Sequence, residues 1–525
     1  MNKITQERQQ HSHNAAMRSI NYFMDEAYAD DLEKRTEALN RISRVRDYID
    51  IFAGDVMSPE AAHAGILYEI KKEENSNIEN AVASATALME YYTYPNTHED
   101  AASYTAALLN DMEYMDNYAT YCRNSDTYMS HRADNSDNDA WRKTSAPIDI
   151  KEMGRLSDEV NIESIIIKSC IVLDKLVEPV REVEESGDLS RLDDEVLKNI
   201  TEAEIFYGPL CEVFGFDGLA MDLRSQSHVL RLLKNGKLED VAKVREYCNS
   251  MREIGPQAAL SNIVGEGNFA VFNAVKDVDC IHDYDSEIPY SSIQLGEFVT
   301  DFGNFWSGKE GDHMLTAGNW RLKSVGSLAN KIQNSEKRGF PMDVMGFTFI
   351  LKDEEELADV FACVIEKVIL SENLECVPAP SKENWVFVQG DDNFRRLIRK
   401  RFSYDFIQKN IQVMEKDVHY RVAKLTCILL DEEKNRQMPV EIQFLTKEDR
   451  KNARTGTAAH IIYKAQSEGI FYSADDRERA SKILTKMYNR KTHMYDSVST
   501  LEANTESLIR GTGDMDRVYM FSCPK

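Results

Sequence analysis

The segment Arg321-Leu322-Lys323-Ser324-Val325-Gly326-Ser327-Leu328-Ala329-Asn330-Lys331 sets two amines and a hydroxyl four residues apart, with a guanidinium at its start. On a helix, that spacing puts Lys323, Ser327 and Lys331 on one side. Converging Arg and Lys groups with a hydroxyl suit a polyphosphate. A solvated basic face has the same spacing, and spacing alone favours that blander meaning. In a second cluster, Val440-Glu441-Ile442-Gln443-Phe444, strand alternation points Glu441 and Gln443 to one face and the apolar residues to the other. A carboxylate on a core strand can bind Mg²⁺ or take a hydroxyl proton. Asp343, in the apolar run Met342 to Leu351, is a candidate partner, although two such carboxylates more often lie on a solvated sheet face. The third cluster, Gly456 through Lys464, places His460 beside small residues on an expected helix, a setting that is more often structural than catalytic.

The elements that must position these groups can be read from periodicity. Residues 1 to about 255 carry apolar residues three and four apart, as at Ile66, Leu67 and Ile70, and predict an almost wholly helical region. Within it, His131 to Pro147 predicts an exposed loop, and a long helical block from Ile162 to Met251 breaks near Glu185 to Asp188. After Gly255-Pro256 the pattern changes. Strands are predicted at Met342 to Leu351, Trp385 to Val388, Tyr420 to Leu430 and Val440 to Thr446, the last two joined by the polar loop Asp431 to Gln437. Helices are predicted at Glu354 to Leu370, Arg395 to Lys409 and Lys447 to Gln466. The fold class is therefore multidomain, an α region followed by an α+β domain with a small mixed or antiparallel sheet. The expected divisions are 1–250, 255–470 and a short, mostly helical tail, 471–525.

Charge and composition exclude several classes. With 63 Lys and Arg against 89 Asp and Glu, the net charge is −26, which repels nucleic acid and anionic membrane. No apolar run approaches the roughly 18 residues of a membrane span, and the polar first residues lack a signal-peptide core. The nine cysteines are scattered without a CxxC pair, which predicts reduced thiols in a cytoplasmic protein. There is no P-loop, HExxH or Gly-x-Ser-x-Gly, and the Gly265/Gly267 and Gly511/Gly513 pairs do not join a strand to a helix. His282-Asp283, in an acidic loop-like stretch, is a weak metal candidate.

Taken in order, the clusters resemble the synthetase domain of the RelA/SpoT family, which makes the alarmone (p)ppGpp. The family pattern R-x-K-x-x-x-S-x-x-x-K is intact at Arg321, Lys323, Ser327 and Lys331. D-x-x-G-F-R resembles Asp343 to Thr348, and G-Y-R/Q-S-x-H resembles His419-Tyr420-Arg421-Val422-Ala423-Lys424. V-E-x-Q-x-R-T resembles Val440 to Thr446, and G-x-A-A-H-x-x-Y-K resembles Gly456 to Lys464. The resemblance covers residues 255 to 470 and implies a nucleotidyltransferase-like, mixed-sheet domain. The implied activity is transfer of the β,γ-diphosphate of ATP to the ribose 3′-hydroxyl of GDP or GTP, with Mg²⁺ held by Asp343 and Glu441. Glu441 would also activate the hydroxyl, and Arg321, Lys323 and Lys331 would neutralise phosphate. Tyr420 would stack on the acceptor base, while Gln443 and His460 orient acceptor and phosphates. Among the departures from the pattern, Thr348 and Leu445 replace arginines, His419 replaces a glycine, and Lys424 replaces the family histidine and restores a charge. Altered acceptor choice or reduced turnover follows as an expectation.

The first half resembles the family's metal-dependent HD hydrolase domain in a decayed form. Thr105 to Glu113 carries Asn110 where the histidine of the His-Asp pair, ahead of Asp111, is expected. Ile167 to Asp174 carries Ile171 at the metal-binding aspartate, and Ile205 to Gly215 resembles the helix linking the two domains. The resemblance implies no hydrolase activity. Two alternatives to a synthetase remain: a non-catalytic regulator of the same fold that binds guanine nucleotide or a partner, and a toxin-like relative acting on another acceptor such as tRNA. For the latter, Arg395-Arg396 and Lys400-Arg401 supply a local basic surface. The expected partners are ATP and GDP or GTP, with no membrane partner and with homo-oligomerisation left open.

Overall fold

The protein is described by a computed structural model over residues 32–53, 57–58, 61, 64–65, 68, 98–123, 150–264, 269–273, 294–302, 315–333, 341, 343–370, 386–414, 421–431, 436–457, 459, 461–462 and 474–494. These residues fall into two compact units. The first gathers the described residues up to Asn235 and the end of the last helix, and the second those of 236–277 and 291–486. None of the described helices is long and apolar enough to cross a membrane.

The first unit is helical. Its helices are α1 (Leu32–Ala53), α2 (His98–Arg123), α3 (Ile150–Glu159), α4 (Ile162–Ser186), α5 (Asp194–Glu202), α6 (Gly208–Val213) and α7 (Asp217–Lys234). Helix α4 is the hub and packs on α1, α2, α5, α6 and α7. Its apolar run Ile165-Ile166-Ile167 is buried on every side, which a helix tolerates only at the centre of a bundle. Asn161 caps its start by accepting from the Glu163 N–H. Gly187, at φ 71°, ends it in the left-handed region, at the break the sequence predicts. Buried cations interrupt this core, and Lys168 and Arg44 each have an acidic partner. Lys168 Nζ is 2.6 Å from Asp116 Oδ1 and 4.4 Å from the Tyr68 ring centre, and Arg44 Nε is 2.7 Å from Asp174 Oδ1.

The second unit is built on an eight-stranded sheet of order β1-β2-β3-β4-β8-β7-β5-β6. The strands are β1 (Phe269–Asn273), β2 (Gln294–Asp301), β3 (Leu315–Leu322), β4 (Met345–Leu351), β5 (Val386–Gln389), β6 (Ile411–Met414), β7 (Val422–Asp431) and β8 (Arg436–Thr446). The β4–β8 and β5–β6 pairs are parallel and the rest antiparallel. One face is closed by α8 (Leu238–Val264) and α10 (Glu354–Leu370). Its core is aromatic: the Phe349 and Phe444 rings stack at 5.3 Å, Phe361 of α10 meets Phe444 edge-on at 5.2 Å, and Phe298 meets Phe349 edge-on at 5.0 Å. Burying each such ring stabilises by roughly 1.5–3 kcal/mol.

The sheet is larger than the sequence predicts. Strands β1 to β3 and the short β6 lie outside the predicted strands, and β3 shows why. It contains Gly318 and Asn319, residues depleted in strands, yet it is paired on both sides, where cross-strand packing overrides propensity. At Gly318 the reason for glycine is steric, since a Cβ there would lie 2.1 Å from the Phe298 ring. The helical pattern also runs beyond Gly255-Pro256: α8 continues to Val264 with a kink at Gly255, φ 73°. The predicted Arg395 to Lys409 helix is two, α11 (Asp392–Arg401) and α12 (Tyr404–Asn410), because Ser403 caps the second by accepting from the Phe406 N–H. Helix α13 (Lys447–Thr455) stops well short of Gln466. Gly456 follows it, packed so closely under Asn452 that a Cβ would overlap the side-chain oxygen. The polar connection between β7 and β8 is shorter than predicted, because Asp431 pairs with Arg436 and Leu430 with Gln437. The predicted loop His131 to Pro147, His282-Asp283, both Gly-x-Gly pairs and the tail beyond Met494, the end of α14 (Ala474–Met494), lie outside the described residues.

Candidate active site

The face of the sheet opposite the aromatic core is polar. Along β4, Met345, Phe347, Phe349 and Leu351 are buried, while Gly346 and Thr348 point the other way. On β8, Val440, Ile442 and Phe444 are buried and Glu441 and Gln443 face out, as alternation predicts. Register then aligns two rows across the sheet. One runs Arg321, Gly346, Glu441, Thr426, and the other Asn319, Thr348, Gln443, Lys424, Phe387, Gln412. The clusters at 321, 343–348, 424 and 441–443, distant in sequence, thus become neighbours on one surface.

Arg321 is not on a helix with Lys323 and Lys331, as the four-residue spacing suggested. It ends β3, and Lys323 lies in the link to helix α9 (Val325–Gln333), which carries Ser327 and Lys331. The Lys323 N–H bonds to the Val344 carbonyl at 2.7 Å, fixing that link beside the head of β4. Both lysines nevertheless converge on one atom: Lys323 Nζ is 2.5 Å and Lys331 Nζ 2.6 Å from Asp343 Oδ2. Ser327 takes part in the start of α9, its hydroxyl 3.0 Å from Ser324 Oγ. Gly346 makes room for Arg321, whose Cγ and Nε would each lie 3.6 Å from a Cβ built there.

The electrostatics follow from this geometry. Burial opposes ionisation of Asp343, but Lys323 and Lys331 outweigh it and hold the carboxyl down at about 2. Burial pushes the Lys323 ammonium down to about 8 despite Asp343, with Lys331 acting in the same direction. Lys331 is half exposed, so its bond to Asp343 and the nearby Glu441 charge win over burial and raise it. Glu441 Oε1 accepts from Gln443 Nε2 at 2.5 Å and lies 3.9 Å from Lys424 Nζ. Arg321, Lys323, Lys331 and Lys424 stand against Asp343 and Glu441, an excess of two positive charges suited to a polyanion.

Among the described residues no group of three or more His, Cys, Asp or Glu could enclose a metal. Two hard carboxylates are what Mg²⁺ uses when phosphate and water supply its other oxygens, so the donor set fits that ion and not a closed metal cage. Tyr420 and His460 lie outside the described residues. The neighbour of Tyr420, Arg421, is locked in place: its backbone N–H and Nε both reach Asp449 Oδ1 at 3.1 Å, and its guanidinium also pairs with Glu354. Leu445, in place of an arginine, is buried with Ile350 as its register partner, while Thr348 is half-buried between Asn319 and Gln443. The same face also carries Asn319, Thr426 and Phe387, which the sequence reading does not single out. The first two stand two residues from Arg321 and Lys424, so strand alternation extended one step would have found them.

The basic surface at Arg395 to Arg401 is partly committed. Arg395 pairs with Asp392, and Arg401 with Asp359 at 2.5 Å and Glu355 at 3.1 Å.

The polar face of this mixed sheet gathers two carboxylates and converging lysines, groups whose chemistry suits a polyphosphate and its counter-ion. Residues 320–468 match the family described as "Region found in RelA / SpoT proteins", a span that contains every cluster above except the N-terminal ones. No curated protein matches the chain. The match supports a synthetase-type function for this unit in general terms and leaves the HD-like character of the first unit as an expectation.

Proposed function

We propose that the second unit transfers the β,γ-diphosphate of ATP to the ribose 3′-hydroxyl of GDP or GTP, forming (p)ppGpp and releasing AMP. The observation that carries the reading is the convergence of Lys323 and Lys331 on Asp343, with Glu441 alongside, inside the span that matches RelA/SpoT proteins. Asp343 and Glu441 would hold Mg²⁺, which when bound neutralises charge on the transferring group. Arg321, Lys323 and Lys331 bind the donor phosphates and compensate the charge that develops in transfer. Glu441 accepts the proton of the 3′-hydroxyl. The 3′-oxygen then bonds to the β-phosphorus, while the bond from that phosphorus to the bridging oxygen breaks and AMP leaves with its electron pair. Gln443 steadies Glu441 through their hydrogen bond, Lys424 adds a positive charge on the acceptor side, and Tyr420 and His460 act on acceptor base and phosphates.

The test is AMP release from labelled ATP with Mg²⁺ and GDP, GTP, ATP or tRNA as acceptor. Glu441→Gln and Asp343→Asn should each lower turnover by at least about 100-fold, because a missing metal-binding carboxylate is worth several kcal/mol of barrier. Wild-type protein that releases no AMP with any acceptor, yet binds guanine nucleotide, would make the unit a non-catalytic regulator.

A further inference from the structure

In the transferase reading Lys323 and Lys331 bind donor phosphates and Asp343 holds Mg²⁺, yet in the fold these three side chains bind one another. Both ammoniums lie on Asp343 Oδ2, Lys323 Nζ at 2.5 Å and Lys331 Nζ at 2.6 Å. A dication brought to that oxygen would meet two charges of its own sign. The two contacts are not equally fixed. Lys323 is tied through its backbone, whose N–H bonds to the carbonyl of Val344, the residue after Asp343, and its side chain is only 14 % exposed. Lys331 rides in the last turn of α9 with its side chain 51 % exposed, so it can turn away from Asp343 with little loss of packing. Asp343 cannot be left bare in exchange. Its side chain is 23 % exposed, and a sheltered carboxylate without a counter-ion is costly.

We propose that Lys323 and Lys331 are an internal counter-ion that keeps Asp343 closed to Mg²⁺ until the phosphates of the donor draw Lys331 away. This exchange rests on the transferase reading above and extends it from the parts of the site to how they assemble. A triphosphate offers several anionic oxygens to an ammonium and so competes with a single carboxylate. Once Lys331 has moved to phosphate, Asp343 is a sheltered anion short of positive charge. A hard dication that binds both carboxylate and phosphate oxygen meets that need. Metal and donor therefore favour one another, and by linkage each is held more weakly alone. Free Mg²⁺ has to displace a lysine, and a donor without metal leaves its phosphates facing an uncompensated carboxylate.

Mn²⁺ binding to the full chain without nucleotide, read by the loss of the free-ion electron paramagnetic resonance signal, tests this. Lys331→Met keeps a long side chain without its charge and should tighten Mn²⁺ by about tenfold, the scale of a typical coupling between two ligands. Lys331→Arg keeps the charge and should bind Mn²⁺ as wild type does. The gain has to run through Asp343, so Lys331→Met made in an Asp343→Asn background should show none of it. A gain that came only from lost positive charge would persist there, at Glu441. Three results would overturn the exchange and leave the transferase reading standing: Lys331→Met that binds Mn²⁺ no better than wild type, a gain shared by Lys331→Arg, or a gain that survives Asp343→Asn. If none of these proteins holds Mn²⁺, and calorimetry with Mg²⁺ shows no binding of a non-hydrolysable ATP analogue to wild type, that reading falls and the exchange with it.

Discussion

Lys323 and Lys331 share one carboxylate oxygen and yet respond to it differently, because one is largely sheltered from solvent and the other half exposed. The carboxylate itself has the clearer consequence. Asp343 is held at about 2 in the folded state, against an ordinary value of 3.8. Its ionised form therefore stabilises the fold above about pH 4, and that contribution disappears as pH falls through 2. The size is about 2 kcal/mol for a group that is mostly buried. Urea unfolding of wild type and Asp343→Asn should show a gap at pH 5 that closes toward pH 2, and a gap independent of pH would refute the pairing. Thr348 gives a second prediction at this scale. It lies between Asn319 and Gln443 on the open face, where the family pattern has an arginine. Thr348→Arg adds a guanidinium to the donor side and should lower the KM for ATP by roughly fivefold, about 1 kcal/mol for one charge-assisted contact. An unchanged KM would mean that this row does not touch phosphate.

Strand β4 shows how an element makes the site possible. Its buried side carries Phe347 and Phe349, and its open side carries Gly346, over which Arg321 lies. A Cβ at 346 would meet Arg321 at ordinary contact distance, so Gly346→Ala should fold and turn over much as wild type does. Gly346→Val adds two methyl groups where the guanidinium passes. In a paired strand, valine is favoured over glycine by up to about 1 kcal/mol, so the melting temperature should hold or rise. Activity should nonetheless fall about tenfold or more through displacement of Arg321. Equal activity of the valine and alanine variants would show that Arg321 does not work from this position. Helix α9 contributes in a different way. Lys323, just outside it, and Lys331, in its last turn, meet at Asp343 because the link holds to Val344, not because both ride on one helix.

At the scale of the molecule, the first unit keeps a helical core, and the expectation is that it lacks hydrolase activity. Asn110 is exposed, Asp111 Oδ2 accepts the Asn161 N–H at 2.7 Å, and Ile171 is buried in the core of α4. A metal hydrolase needs anionic or imidazole ligands at such positions, and neither Asn nor Ile replaces them. Purified protein should therefore release no pyrophosphate from ppGpp with Mn²⁺. Release that is lost in Asp111→Ala would show that a ligand comes from elsewhere, with His63 and His98 as the candidates.

Much of this was legible in one dimension. The alternation in Val440 to Phe444, the helix Glu354 to Leu370 and the break at Gly187 follow from local periodicity and turn chemistry, which act over a few residues. Asp343 and Glu441 are candidates from their local setting, but only the order of the clusters, through the family resemblance, favours them over a solvated sheet face. Strands β1 to β3 were not legible, since the glycine and asparagine in β3 oppose a strand locally and only its two neighbours stabilise one. Nor did the spacing at Arg321 to Lys331 tell a helical face from a strand, a link and a helix. The chain by itself determined which residue types stand at which intervals, and hence which faces are apolar. Only the tertiary structure decided which faces meet, because the register of β3, β4, β8, β7 and β5 is set by long-range pairing, and that register is what lines up Arg321, Glu441, Lys424 and Phe387 on one surface.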